Sequence, residues 1–440
     1  MIDKDKIPES VWRTLETLQF HGYESFLVGG AVRDLLMGKI PQDFDICTAG
    51  TPEEVKKLFP KVVETGLPFG TVTVIEESLG VEVTTFRARD SALKAQVEKN
   101  TVREDVSARD FTINGLLFDG KELIDLVGGL PDLLGGKIKG IGQPCNRYRE
   151  DPLRMIRGIR FHCQLGFEIE KKTLEAIFPQ AYLIERVAPE RIREELIKIL
   201  ISEQPASGFN LLHQTGLLKY ILPELENCFG FEQRNPHHNQ DVFHHIMTVL
   251  EKTSPDLILR LAALFHDIGK PVTFSLDEKE VGHFYGHELQ SQKMTDEIMS
   301  RLKWDRKTKD QVTLLVGEHM HHLSPMKGKA LKRMLNRLGK ENMERLLDLQ
   351  AADLKACSSS QDSLSIEVIK KEINRILATQ EPISLKDLAI GGKDLIEIGY
   401  PPGPEIGKAL HLLLEKVQEN PGINSSKELK KLARGFRPIF

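Results

Sequence analysis

A chain of 440 residues is too long for one ordinary domain, and its 40% hydrophobic content is enough to bury several cores. A net charge of −4 excludes a global basic field for nucleic acid, so any polyanion site must be a local patch. The charged N-terminus lacks a signal-peptide core and no apolar run suits a membrane span. The five scattered cysteines have no CxxC spacing, so reduced thiols and a cytoplasmic location are expected.

In chain order, residues 11–20 have helical spacing, 24–28 and 43–47 read as strands, and 31–37 form a short helix between them. Pro52–Leu58 is helical. Residues 71–75 and 81–86 alternate like a hairpin turning near Gly80. Residues 88–108 are polar and long for a loop inside a compact unit. From about Pro144 strand signals nearly vanish, and helical spacing appears at 151–162, 189–201, 206–215, Val242–Glu251, Leu257–Phe265 and 288–302. Residues 357–363 resemble a linker, 235–240 a surface loop, and 383–440 a last helical segment punctuated by Gly391-Gly392 and Pro401-Pro-Gly-Pro404. The order of these elements predicts an α+β chain, with a mixed-sheet head followed by a helical remainder; with the family resemblance given below, the expected bounds are 1–143 for the head and 144–225, 226–356 and 364–440 for the all-α segments.

The densest chemistry lies in Phe26-Leu-Val-Gly-Gly-Ala-Val-Arg-Asp34, with Asp43-Phe-Asp45 following. Gly29 and Gly30 let backbone N–H groups approach a phosphate, which Arg33 can neutralise. In an extended segment Asp43 and Asp45 point the same way, about 7 Å apart at Cα, and can share divalent metal ions. Further on come Arg109-Asp-Phe-Thr-Ile-Asn114, Ile124-Asp-Leu-Val-Gly-Gly-Leu-Pro-Asp-Leu133 and Glu150-Asp-Pro-Leu-Arg154. On a helix Asp151 and Arg154 share a face; the pair suits the hydrogen-bonding edge of a nucleobase and equally suits a surface ion pair. Residues 137–163 hold seven basic residues against two acids, and 427–440 hold five against one; either is a polyanion patch or a solvated face.

These stretches, in this order, resemble the bacterial tRNA nucleotidyltransferase and poly(A) polymerase family, the second class of CCA-adding enzymes within the polymerase-β superfamily. The first motif matches Gly29, Gly30, Arg33, Asp34, Asp43 and Asp45, the second Arg109, Asp110 and Asn114. The Glu-Asp-x-x-Arg motif matches Glu150, Asp151 and Arg154, and Glu190-Arg-Ile-Arg-Glu-Glu195 resembles the fifth. The resemblance implies a polymerase-β-like nucleotidyltransferase head followed by helical neck, body and tail domains. It implies that Asp43 and Asp45 hold catalytic Mg²⁺, that Arg109 and the glycine loop grip the triphosphate, and that Asp151 and Arg154 pair with incoming CTP or ATP. Ala108 stands where a first arginine is frequent, Gly115 where alanine is usual, and Glu82 is the candidate third carboxylate. A flexible element near 88–108 is expected to help the change from CTP to ATP. The implied partner is tRNA, bound through its acceptor and T arms by the tail, with no membrane partner.

Phe243-His-His-Ile246, Leu261-Ala-Ala-Leu-Phe-His-Asp-Ile-Gly-Lys270 and Ala351-Ala-Asp353 resemble the HD metal-dependent phosphohydrolases. Their ligands map onto His245, His266, Asp267 and Asp353, with His287 and His319 for a second position. Mixed histidine and carboxylate donors suit Mn, Fe, Co, Ni or Zn. The competing functions are an enzyme adding only CC or only A, a poly(A) polymerase, and an HD phosphohydrolase with a nucleotide-binding head.

Overall fold

The computed structural model describes residues 2–66, 70–77, 79–86, 101–234, 240–321, 328–357, 363–379 and 381–436. Most of the expected loop at 88–108, most of the surface loop at 235–240 and the linker core at 358–362 lie outside the described residues. The chain forms two compact units, Met1–Ile221 and Leu222–Phe440. The expected head and the expected neck up to Ile221 fall in the first, and the last four residues of the neck with the expected body and tail in the second. Among the described residues no helix is long and apolar enough to cross a membrane.

The first unit is built on a seven-stranded mixed sheet of order β3-β4-β5-β2-β1-β6-β7. The strands are β1 (Ser25–Val28), β2 (Asp45–Thr48), β3 (Val62–Gly66), β4 (Thr71–Glu76), β5 (Leu79–Thr85), β6 (Leu116–Phe118) and β7 (Leu123–Asp125). β1 runs antiparallel to β2 and β6, while β2 runs parallel to β5. Every residue of β1 is buried, as a central strand covered on both faces requires. Its side chains alternate between two cores: Leu27 packs with Ile46, Val72 and Val83, and Phe26 and Val28 pack with Cys47, Phe86 and Leu117. The helix Glu9–Phe20 closes the first core with Val11, Leu15 and Leu18, at the i, i+4, i+7 spacing of one face.

The sequence spacing and the structure differ at three informative places. The β4–β5 turn lies at Glu77, held at φ +56°, and Gly80 is a strand residue paired with Ile75. The expected loop ends in a helix, Val102–Ser107, started by a capping box in which Thr101 and Glu104 satisfy each other's backbone N–H groups. Asp151 is not on the helix with Arg154: it follows the helix Pro144–Glu150 with extended backbone, and Pro152 leads into the helix Leu153–Leu165. A proline in the first turn starts a new helix but cannot continue an old one, so the break falls where the sequence places Pro152.

Among its described residues the second unit is helical apart from a two-stranded ribbon, Ser275–Leu276 with Gly282–His283. Its helices include Val242–Glu251, Leu257–Phe265, His287–Arg301, Arg306–Glu318 and Lys329–Ala356, the last broken at Gly339. Towards the C-terminus Gly392–Glu397, Pro404–Glu419 and Ser426–Phe436 enclose a separate core containing Leu395, Tyr400, Leu413 and Leu429. The α+β class and the division into sheet-bearing head and helical remainder are as the sequence predicts.

Candidate nucleotidyl-transfer site and histidine–aspartate centre

The first site forms where β1 ends. Gly29 adopts φ +76° between β1 and the helix Gly30–Leu36, a conformation that only glycine takes without strain. A Cβ built there would sit 3.5 Å from Asp45 Oδ2 and 3.7 Å from Arg109 Nη1. A carboxylate and a guanidinium therefore converge on the glycine turn. Asp45 is the first residue of β2, half-buried, with Ile46, Cys47 and Thr48 packed behind it. Asp43 lies outside the strand, exposed, with Phe44 buried between the two acids. The anchoring of Phe44 leaves both carboxylates on the solvent side. Glu82, exposed on β5, is the direct register partner of Asp45, so the two side chains leave the same face of the sheet.

Arg109 is held by an acid that the motif pattern did not single out. Its Nε and Nη2 donate to Asp105 Oδ2 at 3.0 and 2.9 Å, and the Asp105 side chain is fully buried. Burial by itself would lower the Arg109 pKa, but the charge of Asp105, with a smaller contribution from Asp45, holds it above its ordinary value. The available signal was the i, i+4 spacing of Asp105 and Arg109.

Arg33 and Asn114, expected to touch the nucleotide, are buried and brace the turn. Arg33 donates from Nε to Asp34 at 2.9 Å and from Nη1 to Asn114 Oδ1 at 2.8 Å, and its guanidinium lies 5.1 Å from the Phe161 ring centre. Asn114 Nδ2 donates to Asp110 Oδ1 at 3.1 Å, and Arg157 grips Asp110 Oδ2 through Nε at 2.8 Å and Nη2 at 2.6 Å. Burial alone would raise the Asp110 pKa. The Arg157 charge and the hydrogen bonds from Asn114, Arg157 and the Phe111 N–H outweigh it and hold the carboxyl well below the usual carboxylate range.

Asp151 and Arg154 do not pair with each other. Asp151 Oδ2 accepts from Arg191 Nη2 at 2.9 Å, and Arg154 donates to Glu150 at 3.0 Å and to the Ala108 carbonyl at 2.7 Å. Arg191 comes from the expected fifth motif, on the helix Pro189–Leu200. Much of the basic patch at 137–163 is consumed internally: Arg147 and Arg160 are buried, paired with Glu150 and Glu195.

Gly115 has a packing reason. A Cβ there would stand 2.8 Å from Val127 Cγ2 and 3.2 Å from Val106 Cγ1, so alanine cannot enter unless its neighbours move. Gly115→Ala is expected to destabilise the first unit by about 1–3 kcal/mol, the usual cost of overpacking. Denaturant titration measures this, and an unchanged midpoint would refute it.

In the second unit, side chains from several helices converge on Asp267. His245 Nε2 lies 3.4 Å and His266 Nε2 3.2 Å from Asp267 Oδ2, and His287 Nε2 lies 3.2 Å from Oδ1. His245 Nε2 is also 3.0 Å from Asp353 Oδ1, and the Nε2 atoms of His287 and His319 are 3.2 Å apart. The Nδ1 atoms of His266, His287 and His319 face the carbonyls of Ala263, Phe284 and Val316 at 2.8, 2.8 and 2.7 Å. Carbonyl oxygens only accept, so those Nδ1 atoms carry protons and the Nε2 atoms are turned towards the carboxylates and each other. This orientation is the one that metal-bound histidines adopt. Three groups could hold an ion among the described residues: His245–His266–Asp267 and Asp267–His287–His319, which share Asp267, and His245–Asp353–Cys357. Lys270, not anticipated from the sequence, adds a 2.7 Å contact to Asp267 Oδ2. Burial alone would raise the Asp353 pKa, but the hydrogen bond with His245 and the charges of His266 and His245 lower it to about 2.

In the C-terminal segment the Gly391 N–H is taken by Asp394 at 2.9 Å, which makes Gly391-Gly392 a helix cap and not an open phosphate cradle. Lys427, Lys431 and Arg434 are exposed at i, i+4, i+7 on the helix Ser426–Phe436, whereas Lys430 binds Asp394 and Glu397.

Comparison with known proteins agrees along the chain. Residues 25–139 match the poly A polymerase head domain, 166–229 the RNA and SrmB-binding region of polymerase A, and 285–433 domain 2 of tRNA nucleotidyltransferase. The CCA-adding enzyme of Levilactobacillus brevis is 32% identical over 403 residues, 90% of each chain. That of Lactobacillus delbrueckii subsp. bulgaricus is 33% identical over 411 residues, 92% of this chain and 91% of its own. The crystal structure of the Bacillus stearothermophilus CCA-adding enzyme in complex with CTP superposes with a TM-score of 0.76 at 25% identity, covering 98% of both chains. With identity at this level across nine-tenths of both sequences, the chain belongs to the CCA-adding enzyme family of tRNA nucleotidyltransferases.

Proposed function

We propose that the chain adds CMP and AMP to the tRNA 3′ end, completing or repairing the terminal CCA, with protein side chains in place of a nucleic-acid template. The convergence of Asp45 and Arg109 on Gly29 carries this reading. Asp43, Asp45 and Glu82 offer the oxygen donors that Mg²⁺ prefers. Bound there, the ions would ease deprotonation of the attacking 3′-hydroxyl and neutralise the leaving pyrophosphate.

The residues of the chain do the remaining work. Asp105 grips one edge of the Arg109 guanidinium, so Nη1 is presented at the glycine turn where a triphosphate fits. Arg33 and Asn114 brace that turn. Asp151 and Arg154 offer an acceptor and a donor to the pairing edge of cytosine or adenine, and in doing so release Arg191 and Glu150. The tRNA 3′-oxygen forms its bond to the α-phosphorus as the bond to pyrophosphate breaks in line. The basic stripe Lys427, Lys431 and Arg434 supports tRNA backbone binding by the tail.

The test uses tRNAs ending before the tail, after CC, and after CCA, with labelled CTP and ATP. Three nucleotides added to the first, one to the second and none to the third are expected. Arrest at CC, addition of A alone or a long A tract would each replace the reading by a partial-specificity enzyme or a poly(A) polymerase. Arg154→Ala is expected to lose about 1–3 kcal/mol of base discrimination while transfer persists, the scale of a good bidentate base contact. Unchanged selection among the four nucleotides would remove Arg154 from the templating role.

The second unit supports a separate metal centre, with His245, His266, Asp267 and Asp353 as ligands and His287 and His319 completing a second position. Nitrogen-rich donors favour Mn, Fe, Co, Ni or Zn. An ion held there would supply activated water for attack on a phosphoester, as in the HD phosphohydrolases that these residues resemble.

A further inference from the structure

We propose that Cys357 is a ligand of this histidine–aspartate centre, giving it a sulfur donor and selecting a thiophilic divalent ion, zinc foremost. The proposal rests on the metal reading of that centre. The final helical turn carries it: Asp353 and Cys357 are four residues apart, and the Cys357 N–H closes a 3.0 Å hydrogen bond on the Asp353 carbonyl. The helical path therefore continues to the cysteine, and the two side chains leave the same face. Cys357 Sγ lies 4.0 Å from Asp353 Oδ1, the oxygen that also meets His245 at 3.0 Å. One ligand atom each from His245, Asp353 and Cys357 falls within 4.8 Å of the others, the spread of donors around one ion.

The resulting set is one imidazole, one carboxylate and one thiol, with His266 and Asp267 grouped on the same His245. Such N/O/S sets are zinc chemistry, and magnesium and manganese gain little from sulfur. Binding transfers the thiol proton to solvent, because the thiolate is the ligand form. Cys357 is half-buried whereas His245 and Asp267 are buried, so the sulfur sits on the solvent side of the cluster.

Cobalt(II) provides the test, because a thiolate ligand adds a near-ultraviolet sulfur-to-cobalt charge-transfer band to the visible bands of any tetrahedral or five-coordinate ion. The full chain, stripped of metal, is titrated with Co²⁺ alongside Cys357→Ser, Cys228→Ser and His266→Ala. The wild type and Cys228→Ser are expected to show both features. Cys357→Ser should keep the visible bands, lose the ultraviolet band and bind zinc about ten- to a hundredfold more weakly. In the unsubstituted chain, zinc should protect Cys357 from iodoacetamide and leave Cys145 reactive, a readout independent of how any variant folds. Visible bands without the ultraviolet band in the wild type, or equal alkylation of Cys357 with and without zinc, would overturn the sulfur ligand and leave the histidine–aspartate centre standing. No cobalt spectrum, or one indifferent to His266→Ala, would overturn the centre and the proposal together.

Discussion

Asp45→Ala is expected to abolish transfer of CMP and AMP, with a loss of at least about a thousandfold in rate at saturating tRNA and nucleotide. Several kcal/mol of charge stabilisation by bound metal would vanish with the carboxylate, and each 1.4 kcal/mol is a factor of ten. The fold should survive. Asp45 is half-buried at the head of β2, and the three residues behind it carry the packing. The measurement is single-turnover extension of a tRNA lacking its tail, with circular dichroism on the same sample. A folded variant retaining more than a tenth of wild-type turnover would remove Asp45 from the metal-binding role. Glu82→Gln tests the third carboxylate in the same assay, because its register opposite Asp45 places it over the same face of the sheet.

Asp110→Ala acts by a different route and falls on stability. The carboxylate receives the Phe111 N–H, Asn114 Nδ2 and two Arg157 nitrogens. Removing it strands Arg157 and Asn114 and loosens the brace that Asn114 gives Arg33. Breaking a buried ion pair costs about 3–5 kcal/mol, and because Arg157 keeps a third of its exposure and can turn to water, about 2–4 kcal/mol is expected here. Chemical denaturation followed through the first unit should show this loss, and a shift below about 1 kcal/mol would refute the brace. The pH dependence has a defined sign. The folded-state pKa of Asp110 is depressed, so its contribution is complete above the unfolded value near 4 and is lost as pH falls through the lower folded value. Asp110→Asn should therefore lose less stability than the wild type on going from pH 5 to pH 2.

The site was legible where chemistry and backbone geometry are local. Gly29 declares itself because a strand entering a helix through a left-handed turn needs glycine, and Asp43 and Asp45 because one apolar residue between two acids puts both on one side. The residues of the histidine–aspartate cluster were legible as types. Their convergence on one carboxylate depends on how separate helices pack. Arg33 and Asn114 suit phosphate by charge and amide, and burial beside Asp34 and Asp110 makes them braces of the turn as well, which no local spacing shows. The role of Asp105 appears only when its helix carries it into the interior beside Arg109.

By itself the sequence determined the α+β class, the order of head and helical segments, and the glycine–carboxylate motif proposed to hold phosphate and metal. These depend on backbone propensity, side-chain period and donor type, which act over a few residues. The tertiary structure alone decided which cations face the glycine turn and which are neutralised from within, that Glu82 stands opposite Asp45, that Asp151 and Arg154 have separate partners, and that Cys357 joins His245 and Asp353. Those outcomes depend on which distant groups share a buried space, where an unpaired charge is costly and each one must find its counter-charge.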